Sequence, residues 1–364
     1  MQNFVKQLLK QYLNFEKRIV TIVWQKNIPL ILNITWFRVS LVKETINMKK
    51  LSGALAILVA AVMAANAQPV YSEVVGYTKS TFPTGASAFG VGFVKPTTFQ
   101  GVPTSLTSTT MTFSGSNFVN LGPTSDGLPK NYVEIIDGPL AGYNADIISH
   151  TATVLTISAD FSALVLNPTI VIREHIRASD VFKGNTSLTD YADTFVLNNP
   201  DGSQSSLLRD SLSSTGWIDA VSFTSADLII YPGQAFLLNT SSSGEFTFSG
   251  SVKKTPTAIP LYASSGNFVS YSNPSATPDL QAMNLGENFG ASEDYTATMG
   301  TFSTSGDLVQ DATYLWAGAL GGGLIDSIAF APPVGVSVPG LSAIIVGVAN
   351  DSVWIVPSPL AATQ

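Results

Sequence analysis

The sequence predicts an all-β protein of two or three sandwich- or barrel-like modules. Three observations point there. Beyond residue 67, Gly and Pro recur at short intervals, and Ser, Thr, Val, Ile, Phe and Tyr fill the stretches between, the texture of many short strands joined by turns. No part of that region carries a convincing helical apolar period. Strand-like and helical segments do not alternate, which argues against a parallel α/β sheet.

From the N-terminus, residues 1–47 carry seven Lys/Arg against two acids and differ in composition from the rest of the chain; we expect an extension ahead of the true initiator, Met48. Met48-Lys49-Lys50, the apolar run 51–64 and Ala65-Asn66-Ala67 form a basic n-region, an h-region and an A-x-A cleavage site. A secretory signal peptide is expected at 48–67. Its apolar run is shorter than the roughly 20 residues that span a bilayer, so no transmembrane anchor is expected. The expected location is the periplasm, the cell surface or the extracellular space.

An N-terminal β module is expected over 68–178, with strands at 70–82, 87–94, 109–113, 132–136, 151–158 and 169–173. Short helical turns are expected near 178–182 and 207–212. Residues 179–252 and 253–364 read as two copies of one module. Phe195-Val196…Asn199-Pro200, Trp217 and Pro232-Gly233 are echoed by Phe268-Val269…Asn273-Pro274, Trp316 and Pro339-Gly340. Asn-Pro and Pro-Gly are turn-forming pairs, and an apolar strand follows each Pro-Gly. The Gly-rich segment 317–324 lacks the Lys-Ser/Thr of a phosphate loop and is expected to be a turn. The apolar stretch 341–349 is a buried strand by its length.

The chain has 364 residues with 18 Lys+Arg, 25 Asp+Glu, 2 His and no Cys. Disulfides, thiol nucleophiles and Cys-ligated metals are thereby excluded, and two His cannot make a three-His site. Residues 68–364 hold 9 basic and 23 acidic side chains, a formal charge of −14, which disfavours nucleic acid. No G-x-S-x-G, H-E-x-x-H or EF-hand pattern occurs. His150 and His175 are expected at the surface or in turns. The pairs Asp190/Asp193, Glu293/Asp294 and Asp307/Asp311 are the glycosidase-type inventory, though acids beside Gly, Ser and Asn commonly cap turns. Glu287, Glu293 and Asp294 are the candidate calcium ligands. Trp217, Trp316 and Trp354 are the candidate sugar-stacking residues, with burial in a module core as the competing role.

Several segments together resemble an uncharacterised family of exported β-rich paralogues of Verrucomicrobia-type bacteria. They are Val74-Val75-Gly76-Tyr77, Phe93-Val94-Lys95-Pro96, Phe99-Gln100-Gly101, Tyr132-Val133-Glu134, the Gly138-to-Gly142 turn, Ile172-Arg173-Glu174-His175 and Trp354…Pro357. The resemblance implies a secreted or surface location and no catalytic residue. The expected function is structural or adhesive and non-enzymatic. The alternative is a carbohydrate-binding module or weak glycosidase, and polysaccharide or self-association are the expected partners.

Overall fold

The structure, a computed structural model, describes residues 73–161, 168–199, 202–263, 266–271, 283, 285, 294–302, 308, 310–318, 323–334, 336–338 and 340–358. The expected leading extension and signal peptide lie outside them, as do Glu287, Glu293 and Asp307. The described residues are nearly all β, in antiparallel sheets, with one short helix, α1 (Ala178–Phe182). No described helix is long and apolar enough to cross a membrane.

The first module is a seven-stranded sheet. Its strands are β4 (Thr97–Gly101), β5 (Ser105–Leu106), β6 (Thr110–Thr112), β7 (Asn131–Ile135), β8 (Asn144–His150), β9 (Val154–Ile157) and β10 (Ile170–Glu174), in the order β4-β10-β7-β8-β9-β6-β5. Strand alternation sends Val133, Ile135, Ile170 and Ile172 into one core with Met111, Phe113, Ile147 and Leu155. Tyr132, Glu134 and Arg173, one residue out of phase, face away from that core, and all three are buried.

The second module uses residues from both sides of the first in sequence. Strands β2 (Gly85–Gly90), β12 (Thr194–Asn198), β13 (Gln204–Arg209), β14 (Trp217–Asp219) and β16 (Ala235–Thr240) form one sheet, ordered β14-β13-β12-β16-β2. Strands β1 (Val75–Phe82), β3 (Phe93–Val94) and β17 (Gly244–Val252) form the facing sheet, ordered β1-β17-β3. Residues 75–94, in the segment expected to be N-terminal, thus pair with strands of 194–252. Two short strands, β11 (Ile176–Arg177) and β15 (Ile229–Ile230), pair beside α1. The core between the sheets is aromatic: Phe182, Phe195, Trp217, Phe236 and Phe246 sit with neighbouring ring centroids 5.0 to 6.3 Å apart. The helical turn expected at 207–212 is instead the end of β13 and a turn, because Leu207 and Arg209 point inward at the strand period, Gln204 to Leu208 pair with β12, and Leu207 to Arg209 pair with β14.

The third module has β19 (Asn267–Ser270), β20 (Thr298–Phe302), β21 (Gln310–Ala317), β22 (Gly323–Asp326) and β23 (Ala343–Gly347) in the order β19-β23-β20-β21-β22, facing the pair β18 (Thr257–Leu261) and β24 (Ser352–Val356). The five-stranded sheet follows the path of its counterpart in the second module strand for strand, and β18 and β24 correspond to β1 and β17, with no counterpart of β3 among the described residues. The registers agree: Thr194↔Leu208 and Leu208↔Ile218 in one sheet correspond to Thr298↔Leu315 and Leu315↔Ile325 in the other. Likewise Ser80↔Phe246 corresponds to Ile259↔Trp354. The correspondence differs from that expected from the sequence. Phe195 matches Met299 rather than Phe268, Trp217 matches Leu324, and Trp316 matches Arg209. The pairing of Phe and Trp identities misled because core positions exchange one large apolar residue for another at little cost while strand register is preserved.

The two modules meet reciprocally. Gly90 N donates to Leu341 O at 2.8 Å, and Ser270 N donates to Gly233 O at 2.8 Å; Gly90 and Ser270 occupy matching positions, as do Gly233 and Leu341. The bridges Phe89↔Ser342 and Gln234↔Val269 are related in the same way. Ala88, Ala235 and Leu237 pack here with Phe268, Ala343 and Ile345. A Cβ on Gly90 would come within 2.1 Å of the Ser270 Cβ, so glycine permits this close approach. The contact has the self-complementary form of a two-fold dimer interface, within one chain.

Candidate functional site

Ionisable groups gather where the chain crosses between modules. Glu73 precedes β1, Lys95 and Thr97 connect β3 to β4, Glu134 and Arg173 lie on β7 and β10, and Lys253 and Thr255 lead from β17 toward β18. Arg173 Nε donates to Glu134 Oε2 at 3.2 Å and its Nη1 reaches Glu73 Oε1 at 3.0 Å and Lys95 O at 2.9 Å. Lys253 Nζ donates to Glu134 Oε1 at 3.1 Å and to Pro256 O at 2.5 Å. Thr255 and Thr97 donate their hydroxyls to Glu134 and Glu73. Two carboxylates and two cations thus neutralise one another, and Glu134, Arg173 and Lys253 are all buried.

The local electrostatics follow from this packing. Burial opposes ionisation of Glu73, but the Ser251 and Thr97 hydroxyls, the Arg173 guanidinium and the Thr97 amide outweigh it and hold the carboxyl below its usual range. Burial, with Arg173 nearby, pushes the Lys253 ammonium below the ordinary lysine range in spite of Glu134.

Next to this joint, His175 is buried, not at the surface as expected. It follows β10, and the strand alternation that turns Arg173 inward turns His175 inward too. Its ring lies 4.8 Å from that of Tyr132 and 5.2 Å from that of Tyr231. Nε2 is 3.0 Å from Asp146 Oδ1 but off the hydrogen-bond direction, and neither ring nitrogen makes a well-formed hydrogen bond to the protein. Tyr231 donates its hydroxyl to Asp146 Oδ2 at 3.0 Å; burial, then the Asp146 charge, pushes that phenol far above its ordinary value. His150, half-buried, accepts the Leu121 amide through Nε2 at 3.2 Å.

The Tyr231 ring also lines an open cleft of about 260 Å³ between the modules, with Leu197, Pro232, Ile259, Tyr262 and Phe268 among its walls. No charged side chain lines it. Its amides are engaged: Gln234 Nε2 donates to Asn198 O, Asn199 Nδ2 to the Ser203 and Ser205 hydroxyls, and Asn267 Nδ2 to Tyr262 O.

The tryptophans are core residues. Trp217, Trp316 and Trp354 are all buried, so no indole face is open to a sugar ring, which the expected stacking role requires. Trp217 packs against Phe182 and Phe195 with the Arg209 guanidinium 5.6 Å from its ring, and Trp354 Nε1 donates to Met283 O at 2.9 Å. Of the candidate calcium ligands only Asp294 is described, half-buried; among the described residues no three His, Asp or Glu side chains gather for a cation. Asp193 and Asp190 cap turns, Asp193 accepting Thr189 N and Ser241 N, and Asp190 accepting Ser211 N, each within 2.8 Å. Asp311 is exposed.

Sequence reasoning assigned no role to Glu73, Glu134, Asp146, Lys253 or Tyr231. The available signal was a lone charge inside an otherwise apolar strand, as in Tyr132-Val133-Glu134-Ile135 and Ile170-Val171-Ile172-Arg173. No family model matches this chain, and neither the curated proteins nor the solved structures searched contain a match.

Proposed function

We propose that this chain is exported and serves a structural or adhesive role at the cell surface or in the extracellular matrix, without catalysing a reaction. One observation carries the reading. The acids and bases able to do chemistry are closed into the joint between modules: Glu73, Glu134, Arg173 and Lys253 pair with one another or with backbone, and His175 is buried between the Tyr132 and Tyr231 rings beside Asp146. A general acid or base must reach a proton on its substrate, and a glycosidase acid needs a raised carboxyl pKa, whereas Glu73 is held low. The signal-peptide pattern at 48–67 and the resemblance to exported paralogues support the location.

The test pairs a deletion strain with an activity screen. Cells lacking the protein should lose surface attachment or envelope cohesion, and the purified protein should release no reducing ends from a panel of extracellular polysaccharides. Release that scales with protein and disappears in Glu134→Gln, with the variant still folded, would overturn the reading.

A further inference from the structure

Two loops in matching positions of the second and third modules have the same construction. Ile218-Asp219-Ala220-Val221-Ser222-Phe223 runs from the end of β14 into the next loop, and Ile325-Asp326-Ser327-Ile328-Ala329-Phe330 does the same from the end of β22. Asp219 N donates to Thr224 O and Asp326 N to Ala331 O, both at 2.9 Å. Asp219 Oδ1 accepts Val221 N and Ser222 N, and Asp326 Oδ1 accepts Ile328 N and Ala329 N. Phe223 and Phe330 both have positive φ, 55° and 50°. Val221 and Ile328 are 87% and 90% exposed, Phe223 and Phe330 64% and 62%.

Fold stability does not explain these side chains. A bulky residue at positive φ costs energy, and Gly or Asn would occupy that position more easily. A phenyl ring more than half exposed recovers little of the cost by burial; the Phe330 ring meets only the Tyr295 ring, edge to face at 6.4 Å, among the described aromatic contacts. Between the two modules the core has drifted, Trp217 against Leu324, Phe195 against Met299, Phe246 against Trp354, yet the exposed Phe is kept and the exposed aliphatic changes only from Val to Ile. A strained, exposed, retained Phe is what a contact surface requires.

The same chain holds a receptor for such a knob. The uncharged cleft beside Tyr231 has a volume of about 260 Å³, and a dry cavity of roughly 150 Å³ already accepts benzene. Residues 68–364 carry a formal charge of −14, so two copies repel except where both surfaces are neutral. Residues 220–224 and 327–334 contain no charged residue. The carboxylates at their roots turn back onto their own loops, and the amides they accept hold Asp219 and Asp326 below the usual range. Knob and cleft are neutral places on an acidic molecule.

We propose that these loops are docking knobs whose partner is a second copy of this chain, with the Phe223 or Phe330 ring of one molecule seated in the Tyr231–Phe268 cleft of the next. The inference rests on the structural reading above. The knobs lie beyond β14 and β22, at the sheet edges remote from the reciprocal interface, whereas the cleft lies at that interface. The contact is therefore heterologous, and successive copies extend rather than close.

The test is sedimentation of the protein, purified as its host exports it, across a wide concentration range. Wild type should show association that continues past a dimer. Phe223→Ser/Phe330→Ser should weaken it roughly tenfold or more, the loss expected on removing a buried aromatic anchor. Asn199→Asp, which puts a charge in the cleft and replaces the amide donor to Ser203 and Ser205 with a carboxylate to which their hydroxyls can donate instead, should do the same. Circular dichroism and melting temperature check that each variant is folded, and Val221→Ser/Ile328→Ser serves as a second knob variant. A monomer at every concentration overturns the proposal, as does association unaffected by the knob variants. Loss with the knob variants but not with Asn199→Asp overturns the cleft as receptor. A monomer whose deletion still abolishes surface attachment sinks self-docking and leaves the structural role standing.

Discussion

Glu134 and Lys253, 119 positions apart in sequence, meet at 3.1 Å in the joint between modules. One lies on a central strand of the first sheet, the other on the crossover toward the third module. Arg173 holds the other oxygen of the same carboxylate. Glu134 thereby ties the β17-to-β18 crossover to the first sheet, and Arg173 adds the segment before β1 and the β3-to-β4 connection through Glu73 and Lys95 O.

Glu134→Ala leaves Lys253 and Arg173 buried with one partner fewer. Breaking a buried ion pair this way costs about 3–5 kcal/mol, and chemical denaturation should show the loss. Lys253→Met added to Glu134→Leu should recover much of it, since an apolar replacement of the pair restores packing without a stranded charge.

Stability should fall in acid, in part through Glu73. Its folded pKa lies below the unfolded one, so folding releases a proton in the interval between them. The contribution is fully present above the unfolded value of about 4.3, declines as pH drops below it, and is gone below the folded value. Urea midpoints from pH 7 to pH 3 should therefore fall more steeply for wild type than for Glu73→Gln.

Trp217→Ala and Trp354→Ala should each destabilise by about 3–5 kcal/mol, the cost of emptying a large core site, and leave binding of any exposed-surface ligand unchanged in the folded fraction. The conservative changes should separate. Trp354 Nε1 donates to Met283 O, whereas Trp217 Nε1 makes no hydrogen bond, so Trp354→Phe should cost about 1 kcal/mol more than Trp217→Phe for the bond alone.

Phe223→Gly and Phe330→Gly separate fold from contact. Glycine accepts the positive φ, so unfolding should show stability unchanged or raised by up to about 1 kcal/mol. Self-association should fall in the same proteins. A drop in stability instead would show that the rings support their own loops.

The strands at 75–82, 110–112, 131–135, 154–157 and 170–174 were legible because period-two apolar alternation and Gly/Pro punctuation are local properties. The helix at 178–182 was expected as a short helical turn, and the structure places one there. Phe246 and Phe248, buried between exposed Glu245, Thr247 and Ser249, show how far alternation reaches. It says which residues of a strand share a face, and nothing about what that face meets.

The sequence by itself determined an all-β, cysteine-free, acidic molecule of many short antiparallel strands. The tertiary structure alone decided that residues 75–94 complete the second module, that Arg173 and His175 face a sealed joint, and that Trp217 corresponds to Leu324. It also decided that Val221 and Phe223 stand in solvent as Ile328 and Phe330 do. The physical reason is that strand pairing and ion pairing join residues far apart in sequence. Glu134 finds Lys253, and Gly90 finds Leu341, through register and close approach, which no local pattern encodes.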